Sequence, residues 1–151
     1  MIILLQRVTE ARVEVAAETV GEIGSGLLVF LGIESADGDE DIEWLTKKLI
    51  GLRIFDDEGG QMNRSLADVG GSVLLVSQFT LHARTKKGTR PSYTDAAPPN
   101  QAEPLYDAFG TRLRDILGAE RVATGRFGAH MKVSLLNDGP VTLSINSRDR
   151  R

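Results

Sequence analysis

A short polar run follows the most apolar strand-like segment of the chain. Residues 73–76 are all apolar, and residues 77–81, Ser-Gln-Phe-Thr-Leu, come directly after them. Two hydroxyls and an amide at the end of a buried strand are typical of the mouth of a pocket. In an extended chain Thr80 and His82 face the same side, and a hydroxyl beside an imidazole is the raw material of nucleophilic catalysis. The competing interpretation is an ordinary strand end, since threonine and phenylalanine are good strand formers.

A second run, residues 137–142, has the sequence Asn-Asp-Gly-Pro-Val-Thr. Asp-Gly is a favoured turn dipeptide, so the spacing alone predicts an ordinary β-hairpin turn. The proline is awkward there, because it fixes φ and cannot donate a hydrogen bond to the returning strand. A bond before proline is also the one realistic place for a cis peptide, which would hold backbone carbonyls in a fixed direction toward a ligand.

A third run, residues 84–93, carries four cations, no acid and one aromatic residue, Tyr93. Such a run is usually a solvated loop, but its cations can contact phosphates and its tyrosine can stack on a base. The glycine-rich residues 125–128 lack the spacing of a phosphate-binding loop and are weak evidence for a nucleotide site.

The elements that must position these runs follow from hydrophobic periodicity. The first 33 residues predict short antiparallel strands, because their spacing is too tight for parallel crossovers. Helices are predicted from about residue 41 to 50, with Asp37 or Asp39 as N-cap, and over 101–117. Residues 84–100 are predicted to form a long irregular connection. We therefore predict one α+β domain over residues 1–151, with a mostly antiparallel, curved and barrel-like sheet and two packed helices.

The amino-acid composition excludes several kinds of catalytic and metal-binding site. The 151 residues include no cysteine, which removes disulfides, cysteine nucleophiles and zinc–thiolate sites. With only His82 and His130, a histidine metal site is hard to assemble, so neither metal nor cofactor is expected. No stretch approaches the roughly 20 apolar residues that cross a bilayer. Since the start of the chain also lacks the features of a signal peptide, we expect a cytoplasmic protein with no membrane partner.

The charge balance is misleading when it is taken as a total. There are 18 basic and 21 acidic residues, a net charge of −3, which at face value argues against nucleic acid. However, residues 1–83 carry 6 basic and 14 acidic side chains, whereas residues 84–151 carry 12 basic and 7 acidic ones. Electrostatic fields fade over about 8–10 Å at ordinary salt, so an RNA would sense the local patch more than the total.

Taken together, the runs 77–81 and 137–142 resemble the two signature motifs of the D-aminoacyl-tRNA deacylase family. The resemblance covers essentially the whole chain, continuing through residues 5–8, 52–55, 88–93, 96–98 and 125–131. It implies hydrolysis of the ester that joins a D-amino acid, or mischarged glycine, to the terminal ribose of tRNA, with L-aminoacyl-tRNA rejected. It also implies a homodimer with sites at the subunit interface.

The resemblance further implies residue roles. A cis Gly139–Pro140 bond would present carbonyl oxygens to the partner's pocket and exclude the side chain of an L-amino acid, with Arg7 bracing the motif. Backbone N–H groups around Phe79 would form an oxyanion hole. The aminoacyl pocket would be lined by Ser77, Gln78, Phe79 and Thr80. The other implied contacts are to substrate by Asn137, Asp138 and Met131, and more weakly to tRNA by Lys86, Lys87 and Arg90.

Two questions stay open at this point. Thr80 is either a nucleophile activated by His82 or a pocket residue in a mechanism that uses the substrate's own 2′-hydroxyl. We prefer the latter, because the family usually has tyrosine where this chain has His82. The family also commonly has lysine and an acid where this chain has Gln61 and His130. Two rival functions are an RNA-binding module without catalysis and a non-enzymatic dimer.

Overall fold

The chain folds as eight strands and three helices within residues 1–150, the part that the computed structural model describes. The strands are β1 (Ile2–Val15), β2 (Glu18–Ile23), β3 (Gly26–Gly32), β4 (Phe55–Asp56), β5 (Met62–Arg64), β6 (Ser72–Ser77), β7 (Val122–Thr124) and β8 (Lys132–Asn146). The helices are α1 (Asp39–Gly51), α2 (Leu66–Val69) and α3 (Pro99–Leu117), and two 3₁₀ turns span Phe79–His82 and Ala119–Arg121. The predicted α+β class is confirmed. The four-residue α2 is an addition to the two predicted helices, being too short to show a periodicity.

The main sheet is mixed and almost closed on itself. Its strand order is β2-β1-β3-β6-β7, and β8 also pairs with β1. Strand β1 is antiparallel to β2, β3 and β8, whereas β3–β6 and β6–β7 are parallel pairs. The two ends of this order meet, because a Cβ on Gly21 in β2 would lie 2.3 Å from the carbonyl oxygen of Thr124 in β7. The predicted barrel-like curvature is therefore confirmed, and a glycine permits the closest approach.

Two apolar clusters fill the two sides of the sheet. Helices α1 and α3 contribute side chains such as Leu45 and Phe109 to the larger cluster, together with Ile3 and Leu5 of β1. The smaller cluster lies inside the curved sheet. Strand β6 supplies both, since its successive side chains point to opposite faces. The first cluster takes Val73 and Leu75, and the second takes Leu74 and Val76.

The start of α1 differs from the prediction. Its N-cap is Gly38, and neither Asp37 nor Asp39 fills that role. Asp37 is instead buried, where its carboxylate accepts a hydrogen bond from the α-ammonium group of Met1 at 2.6 Å. A buried charge needs such a partner. The ion pair of Asp37 with Met1 therefore links the loop before α1 to the start of the first strand.

Ser147 extends this network to the segment after β8. Its hydroxyl accepts a hydrogen bond from the Met1 α-ammonium at 3.1 Å and donates one to Asp41 Oδ1 at 2.5 Å. Burial alone would raise the pKa of Asp41, but the hydrogen bonds from Ser147 and the Gly38 N–H, with the nearby α-ammonium charge, lower it below 3.8.

The long connection before α3 is less irregular than predicted. Arg84 and Ser92 form an isolated antiparallel bridge, with N–H···O distances of 2.8 and 3.0 Å, and α3 begins at Pro99 rather than residue 101. Proline is well suited to the first position of a helix, where no N–H is needed. None of the helices within residues 1–150 is long and apolar enough to cross a membrane.

We predict that Ser147→Ala lowers the free energy of unfolding by about 2 kcal/mol at neutral pH, because two charged groups lose a buried hydrogen-bond partner. The folded-state pKa of Asp41 lies below its unfolded value, so the stability that its charged form contributes is complete above that value and is lost as pH falls through the folded pKa. The cost of the substitution should therefore shrink below pH 3.8. Urea unfolding at two pH values measures this, with the exposed Ser25→Ala as control. An equal cost at both pH values would contradict it.

Candidate active site

The strand β6 ends in a 3₁₀ turn over Phe79–His82, not in a continued strand. The Gln78 N–H donates to the Leu31 carbonyl at 2.8 Å, and the Leu81 N–H then turns back to the Gln78 carbonyl at 3.3 Å. The predicted pairing of Thr80 with His82 assumed an extended chain and is wrong. Thr80 Oγ1 accepts a hydrogen bond from Gln78 Nε2 at 2.5 Å, whereas the His82 ring is buried and its Nε2 has no hydrogen-bond partner within residues 1–150.

The turn leaves two backbone donors at its start. The first N–H groups of a helical turn have no partner inside it, and here these belong to Phe79 and Thr80, which precede the first internal donor, Leu81. Two adjacent N–H groups in a tight turn form a site where negative charge on an oxygen is stabilised. The expected oxyanion contact at Phe79 is therefore compatible with the local backbone.

An apolar cavity of about 340 Å³ opens beside this turn. Its lining includes Ser77, Gln78, Phe79, Tyr93, Ala97, Ala102 and Phe127. Three of the four predicted pocket residues are therefore brought together. The fourth, Thr80, is not among the lining residues and lies behind Gln78.

Aromatic rings form two walls of the cavity. The rings of Phe79 and Tyr93 meet edge to face with centroids 5.2 Å apart. Opposite them, Phe127 rests against Tyr106 at 5.8 Å. The Tyr106 hydroxyl donates to the Leu75 carbonyl at 2.9 Å, and burial raises its pKa to about 12, so the phenol stays neutral.

Sequence reasoning missed Phe127 as a wall of the cavity. Its signal is the glycine-rich run 125–128, which lies within the resemblance but has no role in the pocket assigned to it. Gly125 instead donates its N–H to the Leu75 carbonyl at 2.9 Å, the same oxygen that Tyr106 contacts.

Residues 137–142 are not a hairpin turn but a bulge inside the continuous strand β8. Gln6 pairs with Thr142 and Val8 with Asn137, so residues 138–141 all stand opposite the single residue Arg7. The Gly139–Pro140 peptide is cis. The hairpin prediction from spacing is wrong, and the cis geometry agrees with what the resemblance implies.

The Arg7 side chain fills the space opposite the bulge. Its Nε donates to the Asp138 carbonyl at 3.0 Å and one Nη to the Gly139 carbonyl at 3.2 Å, while the other Nη donates to the Ile54 carbonyl at 2.7 Å. The guanidinium is only 6% exposed, with Asp56 and Asp138 carboxylates at 3.4 and 3.2 Å. The predicted bracing contact between Arg7 and the motif is present.

Asn137 fixes the bulge from within β8. Its side-chain amide donates to the Arg7 carbonyl at 2.9 Å and to the Val141 carbonyl at 3.2 Å, closing the base of the bulge. Asn137 thus has a structural role in this chain besides any contact with substrate.

The bulge and the cavity do not meet within one chain. Asp138, Gly139 and Pro140 are exposed and do not line the cavity. Met131 lies away from both: it is half-buried against the smaller apolar cluster, with its sulfur next to Gly125. The substrate contacts implied by the resemblance thus lie in two groups, one at the cavity and one at the bulge, and Met131 belongs to neither.

The basic run forms an exposed loop beside the cavity. Its base is held by the bridge between Arg84 and Ser92 and by an ion pair between Arg84 and Asp95, which raises the pKa of Arg84. The three predicted tRNA contacts, Lys86, Lys87 and Arg90, are all exposed and form no salt bridge with residues 1–150. Across the same residues, no three His, Cys, Asp or Glu side chains are placed to hold a metal ion.

Comparisons with known proteins agree over the whole chain. A family model for D-Tyr-tRNA(Tyr) deacylase matches residues 4–146. Proteins named D-aminoacyl-tRNA deacylase from Bacteroides thetaiotaomicron and Chromobacterium violaceum are 53% and 56% identical, each over 99% of both chains.

Solved structures give the same fold. The structure of a c-Myc DNA unwinding element binding protein is 40% identical, with a TM-score of 0.92 over 97% of this chain and 98% of that one. A probable eukaryotic D-amino acid tRNA deacylase is 19% identical, with a TM-score of 0.81 over 95% and 98%, and supports the fold alone.

We predict that Arg7→Met lowers the free energy of unfolding by about 3 kcal/mol, since three backbone carbonyls and a partly buried carboxylate lose their donor. Urea unfolding measures the change. The matched control is Arg12→Met on the same strand, because Arg12 is about half exposed and, among residues 1–150, forms a salt bridge only with Glu14. Equal effects of the two substitutions would show that the guanidinium does not hold the bulge in place.

Proposed function

The chain belongs to the D-Tyr-tRNA(Tyr) deacylase family, and from this premise we propose that it hydrolyses the ester bond of D-aminoacyl-tRNA, releasing the free D-amino acid and tRNA. It is a hydrolase that acts on an aminoacyl-tRNA ester. The observation that carries the proposal is the pair of backbone N–H groups at the start of the Phe79–His82 turn, the first of which belongs to a residue that lines the apolar cavity. A cytoplasmic location, where charged tRNA is used, fits this activity.

The reaction needs little from the side chains of the protein. Water attacks the ester carbonyl carbon, and the N–H groups of Phe79 and Thr80 would stabilise the negative charge that develops on the carbonyl oxygen. The carbon–oxygen bond to the ribose then breaks, the acid keeps the hydroxyl of the attacking water, and the ribose oxygen leaves with the proton that the water gives up. An aminoacyl ester is already activated, so orientation and an oxyanion contact are sufficient.

Thr80 is proposed to support the pocket by holding the lining residue Gln78, and not to act as the nucleophile. Its hydroxyl oxygen is engaged by Gln78 Nε2, and the one nearby imidazole in the sequence, His82, is buried away from it. A nucleophilic hydroxyl needs a base within hydrogen-bond reach. The adjacent 2′-hydroxyl of the substrate's terminal ribose takes the role of positioning or activating group in this mechanism.

The proposed chirality filter is the backbone of Gly139 and Pro140. Arg7 contacts the carbonyls of Asp138 and Gly139, so the direction of this backbone is fixed by a buried guanidinium. Carbonyl oxygens held in this way repel a side chain that points toward them and admit a hydrogen atom. An L-amino acid is thus rejected, while D-amino acids and glycine, which has no side chain, are accepted.

The filter is proposed to act on the cavity of a second copy of the chain. Gly139 and Pro140 are exposed and stand apart from the cavity of their own chain. A Cβ on Gly139 would have only Asn137 Oδ1 near it, at 3.8 Å, an ordinary contact. No contact within residues 1–150 therefore requires a glycine here, whereas close approach to a partner's cavity would favour one.

The surrounding surface of β8 supports a homodimer. Leu135 and Leu136 are exposed, with Leu136 at 57%. Apolar side chains flanking an exposed bulge are typical of an interface core with a functional group at its centre. The basic loop with Lys86, Lys87 and Arg90 lies next to the cavity through Tyr93, where it would meet the acceptor end of the tRNA.

We predict that the protein cleaves D-tyrosyl-tRNA at least 100-fold faster than L-tyrosyl-tRNA, because the filter opposes only the L side chain and about 3 kcal/mol of steric rejection corresponds to that ratio. The measurement is release of labelled tyrosine from one tRNA charged with either enantiomer. Glycyl-tRNA should be cleaved as well. Equal rates for the two enantiomers would disprove the stereochemical filter, and tight tRNA binding without cleavage would favour an RNA-binding module.

We predict that Gly139→Leu leaves the fold and the free energy of unfolding nearly unchanged but abolishes deacylation, since the new side chain would enter the partner's cavity. Ala96→Trp, which fills the cavity, should be inactive too. A mixture of the two inactive variants should regain about a quarter of wild-type activity after subunit exchange, because each mixed dimer has one undamaged site. Activity assays on the mixture and on each variant alone measure this. No recovery in a mixture shown to exchange subunits would place the whole site in one chain.

A further inference from the structure

Trp44 lies on α1 between two cations that come from different parts of the chain. The Lys48 ammonium is 5.3 Å from the centre of its ring, and the Arg150 guanidinium carbon is 5.0 Å from it. Both distances are within the range of cation–π attraction. The half-buried indole therefore holds two flexible charged side chains at a fixed place on the surface.

Two further cations extend this cluster, which we call the Trp44 patch and define as Trp44, Lys47, Lys48, Arg53 and Arg150. Lys47, Lys48 and Arg53 are exposed and form no salt bridge within residues 1–150.

The helix dipole and local hydrogen bonds do not account for the clustering of positive charge at the Trp44 patch. Arg150 donates to the Ser147 carbonyl at 2.8 Å, which does not neutralise its charge. Lysines near the end of a helix are favoured by its dipole, but Arg53 follows the helix, and Arg150 comes from the far end of the chain. Asp149 is the acidic residue at this surface.

The Trp44 patch borders an elongated depression. One groove of about 470 Å³ runs between α1 and the end of β8, and an adjoining groove of about 450 Å³ runs along the last turn of α1. Both are lined by Trp44, Lys48 and Leu52, so they form one continuous path. An extended path with repeated cations matches a phosphodiester chain better than a compact ligand.

Sheet register relates this path to the cavity. Leu31 lines the cavity and pairs with Ile3 across β3 and β1, and Ile3 pairs with Ile145, which lines the groove. Two strand spacings separate Leu31 from Ile145, which is about 10 Å in the plane of the sheet. The walls of the cavity and of the groove are therefore close together in the same sheet.

We propose that the Trp44 patch binds the sugar–phosphate backbone of the tRNA substrate outside its aminoacylated end. The inference rests on the proposed function, because it takes tRNA as the ligand. Trp44 acts as a positioning residue that orients Lys48 and Arg150, and the four cations contact phosphates.

The test is the double variant Lys47→Glu/Lys48→Glu, with Lys47→Arg/Lys48→Arg as the matched control that keeps both charges. Binding of uncharged tRNA is measured by fluorescence anisotropy over a series of salt concentrations. The Glu variant should raise the Kd about 10-fold near 0.1 M salt and flatten the slope of log Kd against log salt by about 1.5, as expected for two lost phosphate contacts. Trp44→Leu should raise the Kd about 3-fold through loss of positioning.

Kinetics separate this surface from the catalytic site. With D-tyrosyl-tRNA, the Glu variant should raise KM and leave kcat within about 2-fold. With the D-tyrosyl ester of a short 3′-terminal oligonucleotide, both constants should match wild type. An unchanged Kd for tRNA, or an equal loss on the short ester, overturns the proposal. Patch-dependent binding of uncharged tRNA by a protein that cleaves no ester would support the patch and disprove the deacylase function.

Discussion

The buried guanidinium of Arg7 is the interaction on which the site depends. A side chain that is always charged can be buried only if its donors are satisfied, and here they are satisfied by the carbonyls of Ile54, Asp138 and Gly139. Those carbonyls belong to segments that are far apart in the chain. The requirement to satisfy one charge therefore fixes the bulge of β8 against β1 and against the approach to β4, and in doing so sets the direction of the backbone that is proposed to read chirality.

A filter made of backbone has a physical consequence for specificity. A side-chain filter can be altered by one substitution or by one change of rotamer, whereas a carbonyl oxygen belongs to every residue and moves only with the chain. Its position here depends on Arg7 from one side and on Asn137 from within the bulge. The backbone of the bulge is therefore as rigid as the sheet that carries it, which suits the proposed rejection of L-amino acids.

The sequence predicted the architecture well where the signal was local. The apolar run 73–76 predicted a strand buried on both faces, and the apolar stripe of α3 predicted its helix, because periodicity reports burial directly. It failed where a distant partner decides the local conformation. Asp37 has the sequence position of a helix cap, but its carboxylate is paired with the α-ammonium of Met1. Residues 137–142 have the sequence of a hairpin turn, but Arg7, which precedes Asn137 by 130 residues, holds them in a bulge.

Predictions for the site also failed where contacts with other parts of the chain decide the local conformation. Alternation along an extended strand placed Thr80 and His82 on one face. This interpretation is wrong because the strand ends with the hydrogen bond from the Gln78 N–H to the Leu31 carbonyl, and a 3₁₀ turn follows. The resemblance to a family supplied roles for Gly139, Pro140 and Arg7 that no spacing argument gave. The structure places Gly139 and Pro140 outside the cavity of their own chain, which agrees with the shared site that the resemblance implies.

Charge shows the same contrast between local and total properties. The acidic first half of the sequence hides Lys47, Lys48 and Arg53, because residues 34–43, before and at the start of α1, carry six acids and no base. In space the two groups separate: the acids gather where the positive end of the helix dipole lies, and the lysines gather at its other end. A single helix thus sorts opposite charges to opposite ends, and a chain with a net charge of −3 presents cations on the side that a polyanion would approach.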